Sequence, residues 1–253
     1  IRGHAYDYNR WAEQGLKDWS YSHCLPYFRR AQRHELGAND YRGGQGPVHV
    51  SAGRATHPLH AAWIEAGQQA GYNYTHDVNG AQQEGIGPFD RTVWNGERCS
   101  AAKAYLHPAL KRDNLEIMSG CKAHKVLFEN DKATGIEFSK KGRVEKIYAS
   151  REVILCGGAI NSPQLLQLSG VGPADHLKKI DIPVVADRPG VGENLQDHLE
   201  VYVQYESKKP ISLYPSLQPF GRLKVGLEWI FSRTGPGSTN HFETGGFIRS
   251  KAG

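Results

Sequence analysis

A chain of 253 residues fits one large domain or two small ones. Lys and Arg number 31 against 26 Asp and Glu, and this formal charge of +5 is spread without a run of five like charges, which argues against a nucleic-acid partner. A hydrophobic content of 39% excludes a mainly disordered chain, and no apolar run approaches the roughly 20 residues a helix needs to cross a bilayer. The 29 glycines and 13 prolines point instead to a loop-rich α/β chain whose backbone approaches ligands closely.

The first predicted element is a helix over His4–Gln14, with Tyr8 and Trp11 at helical spacing and Gly15 as its stop. A second helix is expected over Ser22–Arg33, provided Pro26 lies in its first turn. Pro47–Ser51 alternates as a short strand, and His57–Ala70 reads as a helix ended by Gly71. Asn73–Gly96 is polar and Gly-rich and reads as a long ordered loop, while Ser100–Leu110 is helical until Pro108. From Leu115 to Ala149 the period becomes two. Runs at 115–117, 125–128, 134–138 and 144–148, broken by Asn130-Asp131 and Lys141-Gly142, predict an antiparallel meander. Glu152–Cys156 reads as a buried strand leading through Gly157-Gly158 into a helix near Asn161-Ser162-Pro163. His198–Glu206 alternates as another strand, and Phe220–Phe231 forms an amphipathic helix.

The four cysteines, Cys24, Cys99, Cys121 and Cys156, form no CxxC pair, so neither a zinc site nor a disulfide framework is expected. Cys156, at the end of its apolar run, reads as a small buried hydrophobe. His57 and His60 lack a third ligand nearby and read as surface or packing residues. Asp197 and His198 are adjacent, so on a strand they face opposite ways and serve the loop rather than proton transfer. The strand–Gly157-Gly158–helix unit has two readings: a plain tight turn, or a backbone cradle whose free amides and helix dipole hold an anion. No GxGxxG fingerprint accompanies it to decide for a dinucleotide.

The fifteen residues Gly158-Ala159-Ile160-Asn161-Ser162-Pro163-Gln164-Leu165-Leu166-Gln167-Leu168-Ser169-Gly170-Val171-Gly172 resemble, without a gap, the second signature of the glucose–methanol–choline (GMC) flavin oxidoreductases. Pro189-Gly190-Val191-Gly192-Glu193-Asn194-Leu195-Gln196-Asp197-His198 is similar to another stretch of that family, and Arg2-Gly3-His4 to the residues just after its flavin-binding signature. Cys24–Phe28, Ser100–Leu106 and His241–Ser250 resemble its choline-oxidising members. The family carries GxGxxG near its N-terminus and a catalytic His with a His or Asn near its C-terminus. Neither is present, so the chain reads as an internal segment to which no catalytic residue is assigned.

The resemblance implies a mixed α/β fold, with part of a Rossmann-like FAD-binding domain and part of an antiparallel-sheet substrate domain. The expected division is a mixed helical and loop part over 1–113, a flavin portion over 114–197 and the start of the substrate domain over 198–253. It implies FAD as cofactor, with Gly157, Gly158, Asn161 and Ser162 at the flavin and the backbone of Ala123 at its adenine. Glu200 and Tyr202 would share a face of their strand and take the cationic head of choline, where a carboxylate and a ring both favour a quaternary ammonium. Read without the resemblance, Glu200 is a solvated edge-strand carboxylate. Glu243 and His241 fall in a segment that lines the substrate cavity in relatives, with a turn-stabilising role as the alternative. The implied reaction passes a hydride from a primary alcohol to the flavin, with the membrane quinone pool as electron acceptor and the mitochondrion as location. Another alcohol or a sugar as substrate, or a non-catalytic binding protein of the same fold, are the alternatives.

Overall fold

The computed structural model describes residues 1–250. The chain divides into two compact units, one of Ile1–Leu115 with the chain from Tyr205 onward, the other Glu116–Gln204.

The first unit opens with helix α1 (Ala5–Glu13), started by a reciprocal cap. The His4 imidazole accepts from the Tyr6 amide at 3.1 Å, and the Asp7 carboxylate accepts from the His4 amide at 2.9 Å. Tyr8 turns from α1 onto Phe28 of helix α2 (Tyr21–Ala31), edge to face at 5.6 Å. Pro26 lies at the sixth position of α2, beyond the first turn in which it was expected. The helix continues past it, short of the one amide Pro cannot supply.

Strand β1 (Gln32–His34) follows directly and pairs in parallel with β2 (Val48–Val50). Buried His34 reaches Asp90 at 3.2 Å, tying the pair to the segment after residue 88. Helix α3 (Pro58–Gln69) has Pro58 at its start, where a missing amide costs nothing, and gives way to Gly71 at φ +90°. The Asn73–Gly96 stretch is not the loop its composition suggested. It contains the buried strand β3 (Gly85–Pro88) and the first half of a tight hairpin, Val93–Trp94 against Glu97–Arg98. The helical run expected to stop at Pro108 continues to Ala109, and its Ala102–Leu106 portion is a wide π-type turn.

The second unit is built on the predicted meander, β4 (Cys121–Glu129), β5 (Lys132–Lys140) and β6 (Arg143–Tyr148). Both connections are two-residue turns with left-handed backbone, at Asn130-Asp131 and Lys141-Gly142, the geometry that matches strand twist. Leu115–Ile117 does not join the sheet. Helix α4 (Gly158–Leu168) begins at Gly158, three residues before its expected start. Ser169, just past its end, accepts the Val126 amide of β4 at 2.8 Å and donates to the Leu165 carbonyl at 2.5 Å.

Two strand expectations fail in this region. Glu152–Cys156 is irregular and Cys156 is exposed, and 198–206 is irregular and exposed, with Leu199 96% accessible. An apolar run or an apolar alternation records side-chain preference, whereas a strand also needs a ladder partner, and no described residue pairs with either segment.

Back in the first unit, helix α5 (Pro219–Ser232) buries the Trp229 indole partly and donates from it to the Gly96 carbonyl at 2.7 Å. Strand β7 (Thr244–Phe247) then pairs antiparallel with β3, Thr244 opposite Pro88 and Phe247 opposite Gly85. Glycine at 87 is forced by packing: a β-carbon there would collide with the Thr75 carbonyl oxygen, a backbone atom that has no rotamer to yield. Gly87→Ala should therefore destabilise the protein by about 1–3 kcal/mol, read as a lower urea midpoint at unchanged slope. Gly142→Ala, where a β-carbon meets nothing within 4 Å but φ is +79°, should cost about 1 kcal/mol.

Candidate functional site

Gly157, Gly158, Asn161 and Ser162 come together at the head of α4. Gly158 has φ +83°, open to glycine and strained for other residues, and a β-carbon there would meet nothing within 4 Å. The Gly157 amide donates to Ser162 Oγ at 2.9 Å, while no side chain caps the first helical turn. The remaining first-turn amides are thus left for an external acceptor, and the helix dipole adds partial positive charge there. The exposed surface and the clearance beside Gly158 fit a diphosphate group. Ala123 lies on β4 opposite Phe138 and is exposed, one residue before a register shift at His124.

Glu200 and Tyr202 lie in the irregular 198–206 segment, both exposed. The Glu200 carboxylate pushes the pKa of the Tyr202 hydroxyl up. Before them, the His198 amide donates to Asp197 Oδ1 at 2.8 Å, the local loop role expected of that pair.

Glu243, in the first unit, is set differently. It is 5% exposed and lines a cleft of about 900 Å³ in that unit. Its Oε1 accepts from Arg91 Nη1 at 2.6 Å and from the Thr239 hydroxyl at 2.6 Å. Burial raises its pKa, but the Thr239 hydroxyl, Arg91, His60 and the Thr56 amide outweigh burial and hold it below the ordinary 4.5. His60 itself bonds the Thr244 hydroxyl at 2.8 Å, and His57 accepts the Leu59 amide as the cap of α3. Among the described residues no group of His, Cys, Asp and Glu is arranged to hold a metal. Arg91, Thr239 and Ser51, which shape this cleft, carry no local signal. Arg91 stands 152 residues from Glu243, inside the stretch that composition marks as loop.

The match of residues 1–200 to the GMC oxidoreductase family model shows that the chain belongs to that family. It is 60% identical over 253 residues to a protein named choline dehydrogenase, mitochondrial, from Mus musculus, covering 100% of this chain and 42% of that protein. It is 53% identical over 254 residues to an oxygen-dependent choline dehydrogenase of Burkholderia multivorans, covering 99% of this chain and 45% of that protein. Among solved structures, pyridoxine 4-oxidase from Mesorbium loti matches at 30% identity and TM-score 0.70, over 75% of this chain and 38% of that one. A formate oxidase matches in fold at TM-score 0.86 and 24% identity, over 98% of this chain and 45% of that one. The chain thus spans less than half the length of these relatives.

The buried Glu243–Arg91 pair sets a testable expectation. Glu243→Gln leaves the Arg91 charge buried without its partner and should cost about 3–5 kcal/mol in denaturant unfolding. A carboxylate with a depressed folded-state pKa stabilises above its unfolded value and loses that contribution as the pH falls through the folded one. Stability of the native protein should therefore drop below pH 4.5, and the Gln variant should show a shallower acid limb.

Proposed function

We propose that the full-length protein is an FAD-dependent alcohol dehydrogenase that oxidises choline to betaine aldehyde. The observation that carries this reading is the 60% identity, over every residue of the chain, to a choline dehydrogenase. FAD, when bound, supplies the hydride acceptor for the alcohol carbon. The flavin portion is residues 114–197, where the head of α4, at Gly157, Gly158, Asn161 and Ser162, would hold the diphosphate on the first-turn amides left free after the Gly157 amide has bonded Ser162. The Ala123 backbone would lie at the adenine. The substrate portion begins at 198, with Glu200 holding the trimethylammonium head and orienting the hydroxyl-bearing carbon.

Tyr202 serves the same head through its ring, which offers a face to the permanent cation, while the Glu200 carboxylate raises the pKa of its hydroxyl. Glu243 belongs to this proposal as cavity lining, since Arg91 already matches its charge. Electrons pass to the membrane quinone pool. No described helix is long and apolar enough to cross a membrane. Mitochondrial location is part of the proposal, on the name of the mouse relative.

Anaerobic mixing of the purified full-length flavoprotein with choline should bleach its flavin absorbance. Bleaching by a neutral alcohol or sugar but not by choline would move the substrate to another class. Glu200→Gln should weaken choline about tenfold while leaving 3,3-dimethylbutanol, its uncharged isostere, unchanged. Equal weakening of both would remove the cation-holding role.

A further inference from the structure

Helix α5 packs with one side and leaves an apolar side in the open. Val225 and Trp229 turn inward: a β-carbon at Gly237 would touch both side chains, and the Trp229 indole reaches the Gly96 carbonyl. Phe220, Leu223, Leu227, Ile230 and Phe231 fall on the opposite side, within about 100° of the helix circumference. All five are exposed, with Phe220 88% and Phe231 83% accessible. A contiguous apolar stripe of this kind marks a surface that meets an apolar partner.

The free charges around the stripe have one sign. Lys224, within about one turn of both Phe220 and Leu227, borders it on one side, and Arg222 lies beyond its other edge. Both are exposed, and neither enters an ion pair among the described residues. The single acid of the helix, Glu228, is turned to its C-terminal end, where its carboxylate accepts the Thr234 hydroxyl at 3.2 Å and lies against Gly235. A lysine at the margin of an apolar face is costly to bury in protein without an acid beside it. On a lipid surface its stem lies along the apolar layer while its ammonium reaches the headgroups. Basic flanks and an apolar face with a phenylalanine at each end, over 14 residues, make a helix that lies in a membrane interface rather than across the bilayer.

We propose that α5 docks the protein on an anionic lipid surface, with the stripe from Phe220 to Phe231 entering the headgroup boundary and Lys224 and Arg222 meeting the anionic headgroups. The inference goes beyond the reaction proposed above, and its test needs neither choline nor turnover. Flotation of the purified full-length protein with vesicles of phosphatidylcholine, alone or mixed with phosphatidylserine, reads it directly. The protein should float with the mixed vesicles, and binding should weaken as salt is raised. The double variant Phe220→Ser, Phe231→Ser should weaken that binding about tenfold or more at an unchanged melting temperature, because both rings are already exposed. Lys224→Gln should weaken it about fivefold. Absence of flotation with the mixed vesicles, or flotation unchanged in the double variant, overturns the proposal. A melting temperature lowered by the double variant would show that protein, from the rest of the polypeptide or a second copy, covers the face, and overturns it as well.

Discussion

The first unit depends on one buried ion pair. Glu243 and Arg91 lie 152 residues apart, and each would be a costly solitary charge without the other. The pair sits at the point where β7 begins. The Glu243 carbonyl accepts the Phe89 amide at 2.9 Å, and the next residue, Thr244, opens the register with β3 opposite Pro88. The side chain and the backbone of one residue therefore act on the same junction. A buried pair contributes little net stability against an apolar alternative, but it penalises any pairing that separates the charges. A one-residue slip of β7 would do that while turning every side chain of the strand to its other face.

The glycines around this junction work toward the same end. Gly87 in β3 and Gly245 in β7 are directly opposite each other. A β-carbon at 245 would enter the ring of Phe89, and one at 87 would strike the Thr75 carbonyl. Glycine here is what lets a ring and a neighbouring chain lie flat against a two-stranded ladder, at the entropic cost glycine always carries. A stretch rich in glycine and polar residues reads as loop by composition for a sound reason, since most such stretches have nothing to bury. This one has a partner strand some 160 residues away, and the window of a local pattern contains no trace of it.

That contrast separates what was legible from what was not. Helices α1, α3 and α5 and the β4–β5–β6 meander were readable because their determinants are local: a capping residue, a proline at the start, a two-residue turn that demands left-handed backbone. The continuous apolar run at 152–156 and the alternating run at 198–206 form no strand among the described residues, because a ladder needs a second chain segment that a pattern does not supply. The candidate site divides in the same way. The head of α4 is contiguous in sequence and was visible as a fifteen-residue signature. Arg91, Thr239 and Ser51 reach Glu243 or its cleft only through the fold, and nothing near them in sequence marks them.

The two carboxylates singled out for substrate binding differ in what their surroundings leave available. Glu243 is buried, carries the Arg91 charge against its own and has the Thr239 hydroxyl as a donor besides. Its negative charge is spent on the protein, and bringing a cation beside it would place two positive groups around one carboxylate. Glu200 is exposed, and no described ion pair involves it. It raises the pKa of the Tyr202 hydroxyl, a neutral group that does not consume its charge as an arginine would. The proposed cation-holding role of Glu200 rests on that residual charge, whereas Glu243 spends its own on holding a strand in place.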